Sequence, residues 1–495
     1  MRRSSGVLLH ITSLPGRYGI GALGKQARQF ADFCRQAGLS WWQVLPVGPT
    51  GYGNSPYQSD SVFAGNPQLI DLEELTAQGL LTRKECGAPD WGKQKDRVDF
   101  ERIKAEKPKL LRLAFSRARV QQELWEKVER FCRQEESWLS DYALYLAIKE
   151  EQGGSPWQQW PQELRLRYPQ ALAKARERLR EQTEYHSFVQ YLFYTQWQSL
   201  REYCNRKGVR LIGDIPIYVA PDSCDTWVNT RLFEYDENCQ PLRVAGCPPD
   251  YFSKTGQLWG NPLYNWSAMK ADGFGWWIRR VEGAATRVDA LRLDHFRAFE
   301  SYWAVPAGAK TAKEGAWEKG PGMDLLRVLT GWFPQITYIA EDLGILTDAV
   351  HQLREESGLP GMKVLEFAFS GPDNAYLPHH YAPHCICYTG THDNVTTEGW
   401  RTNASPEDVA YACRYLRCKP EDLTEAMICA CLASVSDMAI IPLADWLHLG
   451  SEARINTPST QGANWQWRLG SPMPGSLAAH IAQLTALYER TPCGE

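Results

Sequence analysis

Eight short apolar or β-branched runs, each separated from the next by a helical pattern, constrain this chain more than any other feature. They fall at 7–11, 42–47, 209–214, 287–294, 337–341, 362–367, 385–389 and 438–443. Helical spacing lies between them. After the first run, Ala27, Phe30, Ala31, Phe33 and Cys34 share one face and Gly38 closes the segment; stretches near 188–207, 323–332 and 347–356 behave similarly. Strands alternating with helices pair in parallel, because each crossover needs a helix to return the chain. Eight such units predict an α/β fold, the (β/α)8 TIM barrel, in which chemistry sits at the C-terminal ends of the strands. The alternative, an open doubly wound sheet, would need a Gly-rich phosphate turn after its first strand. His10-Ile11-Thr12-Ser13-Leu14-Pro15 is not one.

Two interruptions shape the domain organisation. Residues 71–183 are dense in Arg, Lys, Glu and Gln. They carry helical patterns such as Leu110, Leu111, Leu113, Ala114 and Tyr142, Leu144, Tyr145, Ile148. The stretch is too long for a plain loop and reads as a large, mostly helical insertion after strand 2, its charge a solvated surface. Residues 247–262, rich in Pro and Gly, show no period and read as loop. They belong to a long loop insertion after strand 3, 215–275, expected to line the active-site cleft. The barrel itself is assigned to 1–70 and 184–495.

Composition excludes several partners. A formal net charge of -4 across 495 residues gives no reason to expect nucleic acid or an anionic membrane. No window approaches the roughly 20 apolar residues of a membrane span. The apolar run at 7–10 is too short for a signal-peptide core. The 14 Cys are scattered, with C-x-C pairs at Cys385/Cys387 and Cys429/Cys431 inside apolar runs. They read as reduced, buried thiols of a cytoplasmic protein. No metal site is legible and no cofactor is expected. The chain also carries 20 Trp and 22 Tyr, flat amphipathic rings suited to stacking on sugar faces as well as to a core.

Charge gathers where the strands end. In the fourth run, Val288, Ala290, Leu291 and Leu293 lead into Arg292, Asp294, His295 and Arg297. Two guanidiniums and an imidazole beside a carboxylate favour its charged form, which suits a nucleophile as well as a strand-end salt bridge. Asp214 ends run three, Glu341 ends run five, and Asp393 follows run seven. Carboxylates converging on one mouth repel, so a purely structural protein has little reason to keep them. Glu341, partly buried and trailed by Asp342, is expected to bind a proton more readily, as a general acid must. One ionised and one protonated acid on adjacent strands, roughly 4.8 Å apart, suit retaining glycoside chemistry, which wants about 5–5.5 Å. A metal-dependent hydrolase would want His ligands, and a phosphoryl enzyme a phosphate cradle; neither is apparent.

With these residues in view, the chain resembles the 4-α-glucanotransferases of the amylomaltase (disproportionating enzyme) family, relatives of the α-amylases. The likeness runs nearly end to end. It is carried by Ser55-Pro56-Tyr57-Gln58-Ser59, Gly213-Asp214-Ile215-Pro216, Gly256-Gln257-Leu258-Trp259-Gly260-Asn261-Pro262 and Arg292-Leu293-Asp294-His295-Phe296-Arg297. Ala340-Glu341-Asp342-Leu343-Gly344, Gly390-Thr391-His392-Asp393-Asn394, Arg454-Ile455-Asn456-Thr457-Pro458 and Asn464-Trp465-Gln466-Trp467-Arg468 complete it. The resemblance implies Asp294 as nucleophile, Glu341 as general acid/base, and Asp393 as a transition-state stabiliser helped by His392 and Arg292. It implies that Asp214 shapes the pocket, that Ser55, Tyr57, Gln257, Trp259 and His295 lie along the glucan path, and that Asn464 stands near the donor sugars. It further implies malto-oligosaccharides, amylose or glycogen-derived glucans as partners, a monomer, and no separate C-terminal β-sandwich. A hydrolytic α-amylase-like glucanase with the same acids is the alternative.

Overall fold

The computed structural model describes residues 3–249, 254–344, 346–460 and 462–492. Eight parallel strands form one sheet: β1 Ser4–Leu8, β2 Trp41–Gln43, β3 Arg210–Ile215, β4 Ala290–Leu293, β5 Thr337–Ala340, β6 Gly361–Val364, β7 Cys385–Tyr388 and β8 Met438–Pro442. Neighbours run in the order β6-β7-β8-β1-β2-β3-β4-β5. The chain therefore closes on itself as the (β/α)8 barrel the alternation predicts. The last seam, between β5 and β6, carries no regular ladder. Ala340 N–H donates to Pro360 O at 2.9 Å. Met362 N–H donates to the Asp342 carboxylate at 2.6 Å, so a side chain supplies the acceptor that a neighbouring strand would otherwise provide.

Period-2 alternation sorts each strand between two cores. Leu8, Trp41, Ile212, Ala290, Ile339, Met362, Val364, Ile386, Tyr388, Met438 and Ile440 fill the barrel interior. Val7, Trp42, Leu211, Leu291, Leu293, Tyr338, Cys387 and Ile441 belong to the larger core that also takes in the helices. The expected strand positions hold; several bounds move. β1 begins at Ser4 rather than at residue 7, and Ile11–Ser13 forms a 3-10 turn. The two buried serines fit because their hydroxyls find partners: Ser4 Oγ accepts from Trp41 Nε1 at 3.2 Å and Ser5 Oγ donates to Arg490 O at 3.2 Å. Hydrophobicity alone cannot see that.

Between β2 and β3 the chain runs through long helices, among them Phe100–Ala118, Gln122–Gln134, Glu136–Glu151 and Arg180–Arg206. Residue 183, where the sequence pattern was divided, lies inside the last of these. The segment read as loop after β3 differs more. Arg243–Cys247, Gln257–Pro262, Ser301–Pro306 and Ala316–Lys319 form a second, antiparallel sheet. Two of its pairings are local hairpins, and the third joins Arg243–Cys247 to Ser301–Pro306 across the fourth barrel strand. Gly246 lies so close to its neighbour that a Cβ there would meet Gln257 O at 2.5 Å. Irregular, glycine-bearing strands with a bulge give no period to read. Among the described residues no helix is long and apolar enough to cross a membrane.

Candidate active site

The interior alternation decides which charges meet. Asp214 lies two residues beyond inward-facing Ile212, Arg292 two beyond Ala290, and Glu341 two beyond Ile339. All three therefore turn into the barrel at its C-terminal mouth. Register tightens this: Asp214 pairs with Arg292, and Leu293 with Ala340, so the next residues, Asp294 and Glu341, are cross-strand neighbours. Backbone bonds hold that level. Asp294 N–H donates to Ile215 O at 3.0 Å and Glu341 N–H to Leu293 O at 3.1 Å.

Arg292 is the hub. Its Nη1 donates to Asp214 Oδ2 at 2.7 Å and to Asp294 Oδ1 at 2.8 Å. Arg292 and Asp214 are buried, while the Asp294 side chain keeps 26% of its surface exposed, the difference that leaves Asp294 open to a ligand. Burial opposes the Arg292 charge, but Asp214 and Asp294 hold the guanidinium well above its usual range. Burial raises Asp214 from its ordinary value, with Arg292 pulling the other way. Tyr57 OH donates to the same Oδ2 at 2.8 Å, while Asp214 Oδ1 is buried without a hydrogen-bond partner among the described residues.

Glu341 lives differently. Among the described residues its hydrogen-bond partner is the His295 backbone N–H, which donates to Oε2 at 2.7 Å. His295 adopts φ 49°, a left-handed conformation uncommon outside glycine, and such strain collects at functional turns. The turn, immediately after Asp294, directs that N–H at Glu341 on the next strand. Burial pushes Glu341 up from 4.5 to about 8; Arg292 pulls it down, Asp294 pushes it up, the His295 N–H pulls it down and Asp342 pushes it up. The His295 ring is itself lowered to about 4 by burial, against the pull of Asp294.

Asp393 arrives on the loop after β7. Gly390 in that loop lies so near Glu366 that a Cβ would meet its Oε1 at 2.8 Å. Thr391 N–H and Oγ1 donate to Asn394 Oδ1 at 3.0 and 2.8 Å, closing a tight turn around Asp393. Asn456 Nδ2 donates to Asp393 Oδ1 at 2.6 Å and Arg454 Nη2 to its backbone oxygen at 2.6 Å. His392 Nε2 stands 3.5 Å from the other carboxylate oxygen. The sequence signals Arg454 and Asn456 only as members of the run Arg454-Ile455-Asn456-Thr457-Pro458. Asn-Thr-Pro just after an arginine was the available signal, since those residues favour a fixed turn over an element.

The aromatic candidates form two walls. Tyr57 stacks on His392 at 5.3 Å, and both rings meet Trp465 at 5.9 and 6.1 Å. Ser55 Oγ accepts from Tyr57 N–H at 3.2 Å and shapes that loop. Trp259, on the second sheet, meets the His295 ring edge-on at 4.9 Å, and its Nε1 donates to Gln257 Oε1 at 3.2 Å. Two further candidates make contacts the sequence does not announce. The Arg297 guanidinium covers the Trp317 ring at 3.9 Å. The Asn464 amide is engaged in its own loop, accepting from Thr457 N–H at 3.0 Å and donating to Thr460 O at 3.0 Å. Among the described residues no group of three or more His, Cys, Asp or Glu is arranged to hold a metal ion.

This arrangement pairs a partly exposed carboxylate fixed by a guanidinium with a buried, proton-holding acid on the next strand. A sequence-family model described as 4-alpha-glucanotransferase matches residues 9–472. The chain belongs to the 4-alpha-glucanotransferase family. It is 46% identical to a 4-alpha-glucanotransferase from Thermus thermophilus over 99% of each chain. It is 43% identical to one from Clostridium butyricum over 97% of this chain and 100% of the relative. An amylomaltase from Streptococcus agalactiae in complex with acarbose superposes with a TM-score of 0.96 at 38% identity, covering 99% of this chain and 100% of that one. The protein is thus a transferase acting on α-glucans, on the barrel scaffold expected for this family.

Proposed function

We propose that the enzyme moves α-1,4-glucan segments between malto-oligosaccharides by a retaining double displacement. Asp294 attacks the anomeric carbon of the donor while Glu341 gives its proton to the departing glycosidic oxygen. A covalent glucosyl ester on Asp294 results, and the shortened glucan leaves. Glu341, now a carboxylate, takes the proton of an incoming 4-hydroxyl, whose oxygen displaces Asp294 and restores both acids. Asp393, oriented by Asn456, would hold hydroxyls of the distorted sugar, with His392 and Arg292 stabilising the charge around it. Asp214 would keep Arg292 in place.

The observation that carries this reading is the unlike setting of two register neighbours. Asp294 accepts from Arg292 at 2.8 Å, and Glu341 is raised to about 8. Transfer over hydrolysis requires an acceptor to beat water at the ester. Alignment can supply effective molarities of roughly 10⁵ M or more. Tyr57 and Trp259, one on each wall, are the groups we assign to that grip. Incubation with maltotriose tests the reading. Free glucose plus chains longer than the substrate is the expected result; shortening alone would mean hydrolysis, and unchanged maltotriose would refute both.

A further inference from the structure

The opposite mouth of the barrel holds a cavity of about 610 Å³ at the N-terminal ends of the strands. Arg3, Arg35, Arg206, Lys207 and Arg210 line it, and among the described residues no carboxylate does. The chain as a whole carries a formal charge of -4, so this concentration of cations is not a sample of a basic surface.

Several of these groups are held in place. The Arg210 guanidinium lies over the Trp41 ring at 3.9 Å, where Trp41 closes the barrel floor. Arg3 is tied to the backbone oxygens of Ser434, Leu432 and Tyr488. The nearby acids have partners of their own. Asp32 pairs with Lys207 at 2.9 Å, Asp289 with Arg201 at 2.8 Å, Glu202 with Arg206 at 3.9 Å and Asp437 with His384 at 3.1 Å. Among the described residues Arg3, Arg35 and Arg210 make no ion pair within about 4 Å. Arg3 is taken up by backbone oxygens and Arg210 feels Asp289 at longer range, so Arg35 and Arg210 are the two that face the space with their forks open.

A neutral glucan has no use for such a cluster, so the ligand differs in class from the substrate. Forked guanidiniums match phosphate oxygens in pairs, and a dianion satisfies several at once. The volume falls in the range of small-molecule sites and far exceeds one phosphate group. We propose that this cavity binds a small phosphate monoester, its phosphate against Arg35 and Arg210 and its organic body in the remaining space. The proposal stands independently of the catalytic roles above.

Calorimetric titration of the full-length chain with glucose 6-phosphate, AMP, inorganic phosphate and glucose tests it. At least one ester should bind more tightly than inorganic phosphate, glucose should give no heat, and maltotriose should not compete. The esters' relative affinities identify the body the cavity prefers. Arg35→Gln and Arg210→Gln should each weaken ester binding by about tenfold or more, with glucan transfer unchanged. Arg35→Gln lacks the ring contact of Arg210 and so serves if Arg210→Gln fails to fold. Absence of ester binding, affinity unchanged in a folded variant, ester no tighter than inorganic phosphate, or displacement by maltotriose would each overturn the proposal.

Discussion

The carboxylates that follow β4 and β5 stand side by side, one residue past a shared register, yet the fold treats them in opposite ways. Asp294 receives a hydrogen bond from a cation that is itself buried and shared with Asp214. Among the described residues Glu341 receives a backbone N–H alone, from a residue held in a left-handed turn, and burial pushes it up to about 8. Neither setting is set by the residue type. A guanidinium against one carboxylate and desolvation of the other are enough to separate a nucleophile from a proton donor. The difference between these aspartate- and glutamate-bearing strand ends is what the proposed mechanism rests on.

The largest expected effect comes from deleting the cation-bound partner. Asp294→Ala should lose transfer by on the order of 10⁴-fold or more, measured as glucose released from maltotriose. The variant should still fold, because Arg292 retains Asp214 at 2.7 Å and is not left as an unpaired buried charge. Activity above about a tenth of the parent's would remove Asp294 from its role.

Glu341→Gln should follow, with a loss of roughly 10²–10⁴-fold on natural glucans. A glucosyl fluoride donor, whose leaving group needs no proton, should be spared most of that loss in the first step. An equal loss on both donors would make Glu341 a scaffold residue and dissolve the comparison.

pH sharpens it further. Glu341 must be protonated to act as acid, so kcat/KM should fall as pH rises through about 8. The same shift has a stability signature. The folded protein holds this proton more tightly than the unfolded chain, so between 4.5 and about 8 stability declines as pH rises. Glu341→Gln removes that contribution and should melt higher than the parent above pH 8, the gap closing below pH 4.5. Thermal melts across that range decide it; a gap independent of pH would mean no raised Glu341.

The smallest effect concerns the walls. Tyr57→Ala and Trp259→Ala should shift products from longer glucans towards new reducing ends by about threefold to tenfold, the size of one or two lost stacking contacts. If both keep the parent's ratio, the acceptor is gripped elsewhere.

Much of this was legible because charge interrupts apolar runs. A run such as Val288 to Leu293 can end in Arg292-Leu293-Asp294 only where a strand surfaces, and the same holds for Ile212-Gly213-Asp214 and Ile339-Ala340-Glu341. The barrel and its acid-bearing mouth follow from those coincidences. What stayed hidden depends on contacts far along the chain. Asp342 read as a like charge beside Glu341, yet its carboxylate closes the β5–β6 seam through Met362 N–H. Arg454 and Asn456 support Asp393 from more than sixty residues away, with no period to announce it. Arg297 sits three residues after Asp294 in sequence, but the turn at His295 sends it to Trp317. The antiparallel sheet stayed hidden because its first hairpin shifts register between Val244 and Gly246 and its two hairpins pair with each other only across a barrel strand.

The central claim is that Asp294 forms the covalent intermediate while Glu341 moves the proton. Maltosyl fluoride with Glu341→Gln tests it directly. The fluoride leaves without help, and the missing general base slows release, so the glycosyl-enzyme should accumulate. Peptic digestion and mass spectrometry should place the added maltosyl mass on the peptide carrying Asp294. A label on Asp214 or Asp393, or turnover of the fluoride with no covalent adduct, would contradict the account.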